Sequence, residues 1–165
     1  MKFYDRKTPR ARRYDYSAQG MYFITICTDN RVNYFGNIVN GEVHLSDLGK
    51  ICEIEISRLN ERSNIELHEW IIMPDHLHLL LFMKETKTSD TNLNKKDSKE
   101  NDKSIYLGRV MNIFKGNISK YSNKHNIDFS RQPRYHDRIV RNEKEYDNIK
   151  YYIQNNPKNE NEEIY

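Results

Sequence analysis

The chain has 165 residues, enough for one domain with a real core and too few for a second independent one. Its 27 basic and 24 acidic residues nearly cancel to a net charge of +3, so bulk charge marks no partner. No run of about 18 apolar residues exists and the first residues are charged, which argues against a membrane span and a signal peptide; a cytoplasmic protein is expected. Cys27 and Cys52 lie in apolar runs without CxxC spacing, as buried, reduced thiols do.

Of the first 14 residues, Lys2, Arg6, Lys7, Arg10, Arg12 and Arg13 are basic and only Asp5 is acidic, with Phe3, Tyr4 and Tyr14 interleaved. Such an arm suits a phosphate backbone with bases stacked on rings, and equally a solvated terminus. Tyr22 to Thr28 is β-branched and aromatic and predicts a buried, central strand. Asn40-Gly41, flanked by short apolar runs between Phe35 and Leu45, predicts a hairpin, because both residues tolerate positive φ. Ser46 or Asp47 then caps a helix to about Asn60, whose Leu48, Cys52, Ile56 and Leu59 share one face. Ile65 to Met73 and His76 to Met83 read as adjacent strands joined by the turn pair Pro74-Asp75.

From Lys84 to Ser104 aromatic residues vanish and Leu93 is the only apolar side chain, so a mobile polar loop is expected there rather than a domain. Helical periodicity returns from Ile105 to about Ser122, with Leu107, Val110, Met111, Phe114, Ile118 and Tyr121 in one stripe. Tyr135 to Arg141 is strand-like, and Asn142 with Glu145 opens a last helix that Pro157 must end. This order predicts one α+β domain over residues 1–165, a ferredoxin-like sandwich in which helices pack on one face of a central antiparallel sheet.

The chemistry-bearing stretch is Trp70 to Phe82, WIIMPDHLHLLLF. His76 and His78 stand two apart on a strand and so project from the same face. Such a pair can sit idle on a wet face, but beside so apolar a strand two imidazoles need partners, and a divalent metal engages both. A third ligand must come from another element. On the last helix, at about 100° per residue, Tyr146, Ile149 and Ile153 define the buried face, Tyr152 and Asn156 flank it, and Tyr151 and Asn155 point to solvent. If that helix packs beside the histidine strand, a phenol and an amide oxygen approach the pair together; the alternative for Tyr152 is ordinary packing.

Four stretches in order, RRYDYSAQGMYFITICT, WIIMPDHLHLLL, GRVMNIFKGNISK, and YHDRIVRNEKEY with YIQNNP, resemble the single-tyrosine HUH transposases, and among them the REP-associated tyrosine transposase branch. The resemblance spans nearly the whole chain outside 84–104. It implies that His76 and His78 are metal ligands, that Asn156 completes the site, and that Tyr152 is the catalytic nucleophile. It further implies Mg²⁺ or Mn²⁺ as cofactor, a single-stranded DNA hairpin as partner, and DNA contacts from Arg12, Arg13 and Tyr14, with Lys115, Arg138 and Arg141 available for phosphates. Monomer and homodimer both remain open, as do a hairpin-binding module without strand transfer and a phosphodiesterase that uses water. The long polar loop and the acidic ending NENEEIY depart from the family pattern without touching a proposed catalytic position.

Overall fold

The computed structural model describes residues 19–84 and 105–156. The basic arm with Arg12, Arg13 and Tyr14, nearly all of the polar stretch, and Pro157 lie outside the described residues. The elements run β1 (Gly20–Cys27), β2 (Gly36–Val39), β3 (Glu42–Leu45), α1 (Asp47–Asn60), β4 (Ile65–Ile72), β5 (His76–Met83), α2 (Ile105–Lys124), β6 (His136–Val140) and α3 (Glu143–Asn155).

Four strands form one antiparallel sheet in the order β4-β5-β1-β6. With α1 and α2 as the crossovers this is the expected ferredoxin-like α+β sandwich, and the β2–β3 hairpin, turning at Asn40 and Gly41 with φ of 55° and 78°, is inserted before α1. The Pro74-Asp75 turn is closed by Met73 N–H donating to His76 C=O at 2.8 Å, and it sets β4 and β5 side by side.

Tyr22, Ile24 and Ile26 of β1 and Leu77, Leu79 and Leu81 of β5 point to one face, where Cys52 and Ile56 of α1 and Val110, Met111 and Phe114 of α2 close the main core. The alternate residues, Phe23 and Leu80, point to the other face and meet Ile149 and Ile153 of α3. Both ferredoxin-type helices therefore share a face as expected, and the additional helix α3 lies against the opposite one. Two-sided covering explains why β5 reads as a continuous apolar run instead of alternating.

Ser46 is the cap of α1: its Oγ accepts from Gly49 N–H at 3.1 Å and donates to Tyr34 C=O at 2.7 Å, tying the helix start to the hairpin. Asn142 caps α3 by accepting from Glu145 N–H at 2.9 Å, while Glu145 accepts from Arg141 N–H at 2.8 Å. Backbone approach at α1 is close enough to demand glycine: a Cβ on Gly49 would stand 2.0 Å from Phe35 O, whereas one on Gly116 of α2 would meet nothing within 4 Å. Gly49→Ala is expected to lower stability by about 2–3 kcal/mol. Gly116→Ala is expected to raise it by up to about 1 kcal/mol. Urea denaturation of both variants checks the contrast, and equal effects would refute the close approach.

Candidate functional site

Register builds the site. Thr25 pairs with His78 and Cys27 with His76 across the β1–β5 ladder, so both imidazoles stand on the α3 face of two central strands. Their ring centroids are 4.7 Å apart. The Phe23 ring stacks on His78 at 5.1 Å with 25° between planes.

Each ring is held through its Nδ1. Asp75 Oδ1 lies 2.6 Å from His76 Nδ1, and because a carboxylate only accepts, Nδ1–H donates and Nε2 is the ring nitrogen turned away from Asp75. Thr25 Oγ1 lies 2.8 Å from His78 Nδ1, leaving Nε2 facing α3. Burial alone would push the Asp75 carboxyl up, but the hydrogen bond and charge of His76, with Arg31, hold it below the ordinary carboxylate range. His78 is 5% exposed, and burial, reinforced by the neighbouring His76 and Arg31, depresses its pKa to about 3. It is a neutral nitrogen donor throughout the physiological range and a poor base.

α3 brings the phenol to this nitrogen. Tyr152 Oη lies 3.4 Å from His78 Nε2, with ring centroids 5.4 Å apart. Tyr151 is 67% exposed, so the helical wheel chose between the two tyrosines as the structure does. Asn156, one turn further on, is 3% exposed, and its amide nitrogen has no hydrogen-bond partner among the described residues. The helix is moored by Ile149 and Ile153, by a 3.0 Å hydrogen bond between Tyr146 Oη and His68 Nδ1, and by Gln154 donating to Glu69 at 2.8 Å. His68 stands at the register shift of β4, where one extra residue turns its side chain toward α3.

Two imidazoles with Nδ1 secured, and a buried amide one turn beyond Tyr152 whose nitrogen lacks a partner among the described residues, are a donor set of the kind a divalent cation accepts. The basic candidates are not all drawn to it. Lys115 requires correction: it is 3% exposed on α2, on the far side of the sheet, donating to Pro133 C=O at 3.2 Å with its ammonium 5.2 Å from the Tyr135 ring centre, so it is not placed to hold a phosphate at this site. Arg138 stands in register with Phe23 on the α3 face and is ion-paired with Glu145, which fixes the start of α3. Arg141 is exposed just past Val140, at the end of the β1–β6 ladder away from the histidines. Sequence reasoning passed over Thr25, Phe23 and Arg31, and took Asp75 only as a turn residue; its adjacency to His76 was the available signal.

Unfolding releases His78 to its ordinary pKa of 6.5, so the unfolded chain binds one more proton between that value and about 3. The stability its burial contributes is complete above pH 6.5 and is lost as pH falls toward 3. Between pH 7 and pH 5 in metal-free buffer this linkage amounts to about 2 kcal/mol. Denaturant titrations at both pH values should show that loss in wild type and not in His78→Gln; an equal pH dependence would show that His78 is not held neutral.

No protein-family profile matches the chain. An uncharacterized protein of Haemophilus influenzae (strain ATCC 51907 / DSM 11121 / KW20 / Rd) is 34% identical over 160 residues, covering 92% of this chain and 88% of that protein. The solved structure of a REP-associated tyrosine transposase bound to a REP hairpin aligns with a TM-score of 0.60 over 92% of this chain and 74% of that one, at 19% identity, which establishes a shared fold. No described helix is long and apolar enough to cross a membrane.

Proposed function

We propose that this chain, which belongs to one family with that Haemophilus influenzae protein, is a single-tyrosine HUH transposase of the REP-associated type. It would be a metal-dependent enzyme that cleaves and rejoins single-stranded DNA bearing a hairpin. The observation that carries the reading is the Tyr152 phenol standing 3.4 Å from the buried, neutral His78 nitrogen, on the face that also bears His76. The fold shared with a transposase bound to a REP hairpin supports the substrate class.

His76, His78 and Asn156 would hold Mg²⁺ or Mn²⁺, which supplies Lewis-acid charge at the scissile phosphate. Tyr152 Oη forms the new bond to phosphorus as the bond to the 3′ oxygen breaks, leaving a 5′-phosphotyrosine link and a free 3′-hydroxyl. One phosphodiester replaces another of similar energy, so attack by a 3′-hydroxyl reverses the step and joins strands without ATP. Phe23 and Thr25 fix the plane of His78, and Asp75 fixes that of His76, so neither ring has to reorganise as charge develops. Arg12, Arg13 and Tyr14 are the residues that would contact the hairpin, with Arg138 and Arg141 near the start of α3 available to its backbone.

Incubation with labelled single-stranded hairpins from the DNA flanking its gene, in Mg²⁺ or Mn²⁺, should yield a protein–DNA adduct that survives denaturation. The adduct should vanish in Tyr152→Phe and persist within about two-fold in Tyr151→Phe, whose side chain points to solvent. Cleavage without an adduct would assign the chemistry to water, and binding without cleavage would leave a recognition module.

A further inference from the structure

β6 is an edge strand, hydrogen-bonded to β1 on one side, and alternation divides its side chains between the two faces of the sheet. Ile139 packs against the main core beneath α1 and α2, whereas His136 and Arg138 stand in register with Thr25 and Phe23 and so share the face of α3. Thr25 is also the residue opposite His78. One row across the sheet therefore reads His78, Thr25, His136, with the outer two backbones about 10 Å apart at two strand spacings.

α3 covers this face unevenly. Its polar ties reach across to β4, from Tyr146 to His68 and from Gln154 to Glu69, and its isoleucines rest on Phe23 and Leu80. Toward β6 it is held at its start, where Glu145 meets Arg138. One row further on the sheet is open: His136 is exposed, and Thr25 is only half-buried although its strand is central. Thr25 is short and its hydroxyl is engaged with His78 Nδ1 at 2.8 Å, so a shallow recess lies above it between two imidazoles. His78 is committed through both nitrogens, whereas among the described residues none makes a hydrogen bond, ion pair or ring contact with the imidazole of His136. A ring presented from a sheet surface with nothing packed on it is the kind of platform on which single-stranded nucleic acids stack their bases.

The direction of the strand follows from the chemistry. An in-line displacement expels the leaving oxygen on the side of phosphorus away from the nucleophile. Tyr152 enters from α3 and stands at His78, so the 3′ oxygen and the nucleotide that carries it depart toward β6. We propose that the recess over Thr25 seats the nucleotide immediately 5′ of the scissile phosphate, with its base stacked on His136. The inference rests on the reading of the site as a DNA-cleaving centre, and it adds to that reading a binding place for the strand that ends in the 3′-hydroxyl. A strand held there stays beside the phosphotyrosine link, so one contact serves both cleavage and rejoining.

The test crosses His136→Ala, His136→Phe and His136→Gln with flanking-DNA hairpins that carry one abasic site, either immediately 5′ or immediately 3′ of the cleaved linkage. An exposed side chain that supports no neighbour can be replaced without unfolding, so all three variants should melt with wild type. Losing one stacked base corresponds to about 5–100-fold, and the concentration of intact hairpin that half-saturates the rate of adduct formation should rise by that factor in His136→Ala and His136→Gln, but by no more than about three-fold in His136→Phe. Wild type should suffer the same loss on the 5′ abasic hairpin, and the two losses should not add when that hairpin meets His136→Ala. The 3′ abasic hairpin should affect wild type and His136→Ala equally. Wild type indifferent to the 5′ abasic site, losses that add in full, or recovery in His136→Gln but not in His136→Phe would overturn the inference, the last by making His136 a hydrogen-bonding group. Absence of any adduct from wild type on intact hairpins would instead overturn the reading of the site itself.

Discussion

The buried imidazole of His78 is the constraint around which the rest is arranged. A polar ring that is 5% exposed must have both nitrogens answered, and its two partners come from elements 53 residues before it and 74 residues after it. Thr25 answers Nδ1 only because β1 and β5 pair in a register that places it directly opposite. A slip of one residue would turn Thr25 to the face covered by α1 and α2 and bring an isoleucine against the ring. Among the described residues the other nitrogen is answered by Tyr152, at the long distance of 3.4 Å.

The second partner requires a helix on the face that a ferredoxin-like sandwich leaves bare. Four apolar side chains at the centre of that contact, Phe23, Leu80, Ile149 and Ile153, do most of the holding, at about 2 kcal/mol for each isoleucine buried. The polar ties at its margins, Tyr146 to His68, Gln154 to Glu69 and Arg138 to Glu145, are partly exposed and individually worth little, but they fix the rotation of the helix. Rotation matters because adjacent residues differ by about 100°: it is what separates Tyr152, beside the histidine, from Tyr151 in solvent.

Much of this was legible in the chain. Apolar runs and helical stripes located the four strands of the main sheet and the three α-helices to within a residue or two, because each has at least one strongly apolar face. Ser46, Asn142 and Asn40-Gly41 announced their own boundaries through capping and turn chemistry. Tyr152 was separable from Tyr151 by helical phase, and His76 from solvent by its apolar neighbours. What could not be read was the side of the sheet on which α3 lies, since an amphipathic helix records that it packs and not against what. Lys115 shows the same gap in reverse: a lysine in a helix reads as surface charge, and only the fold reveals a carbonyl and an aromatic ring waiting for it inside.

The two halves of the site are held by different means. Both histidines stand on a strand paired on either side, and the segment leading into His76 is bonded backbone to backbone with the Thr28–Phe35 loop, so the histidine half is fixed by sheet and loop backbone hydrogen bonds. The Tyr152 half rides on α3, seated among the described residues by one small apolar cluster and a few exposed polar bonds. Local opening free energies follow contact density, so α3 is the element able to move first while the histidines stay in place. On the proposed reading, a tyrosine that would become covalently joined to DNA and then exchange it for another strand needs that division, with a fixed site at the phosphate and a nucleophile whose carrier can yield. The sequence builds it by setting the histidines in the centre of the sheet and the tyrosine after the last strand.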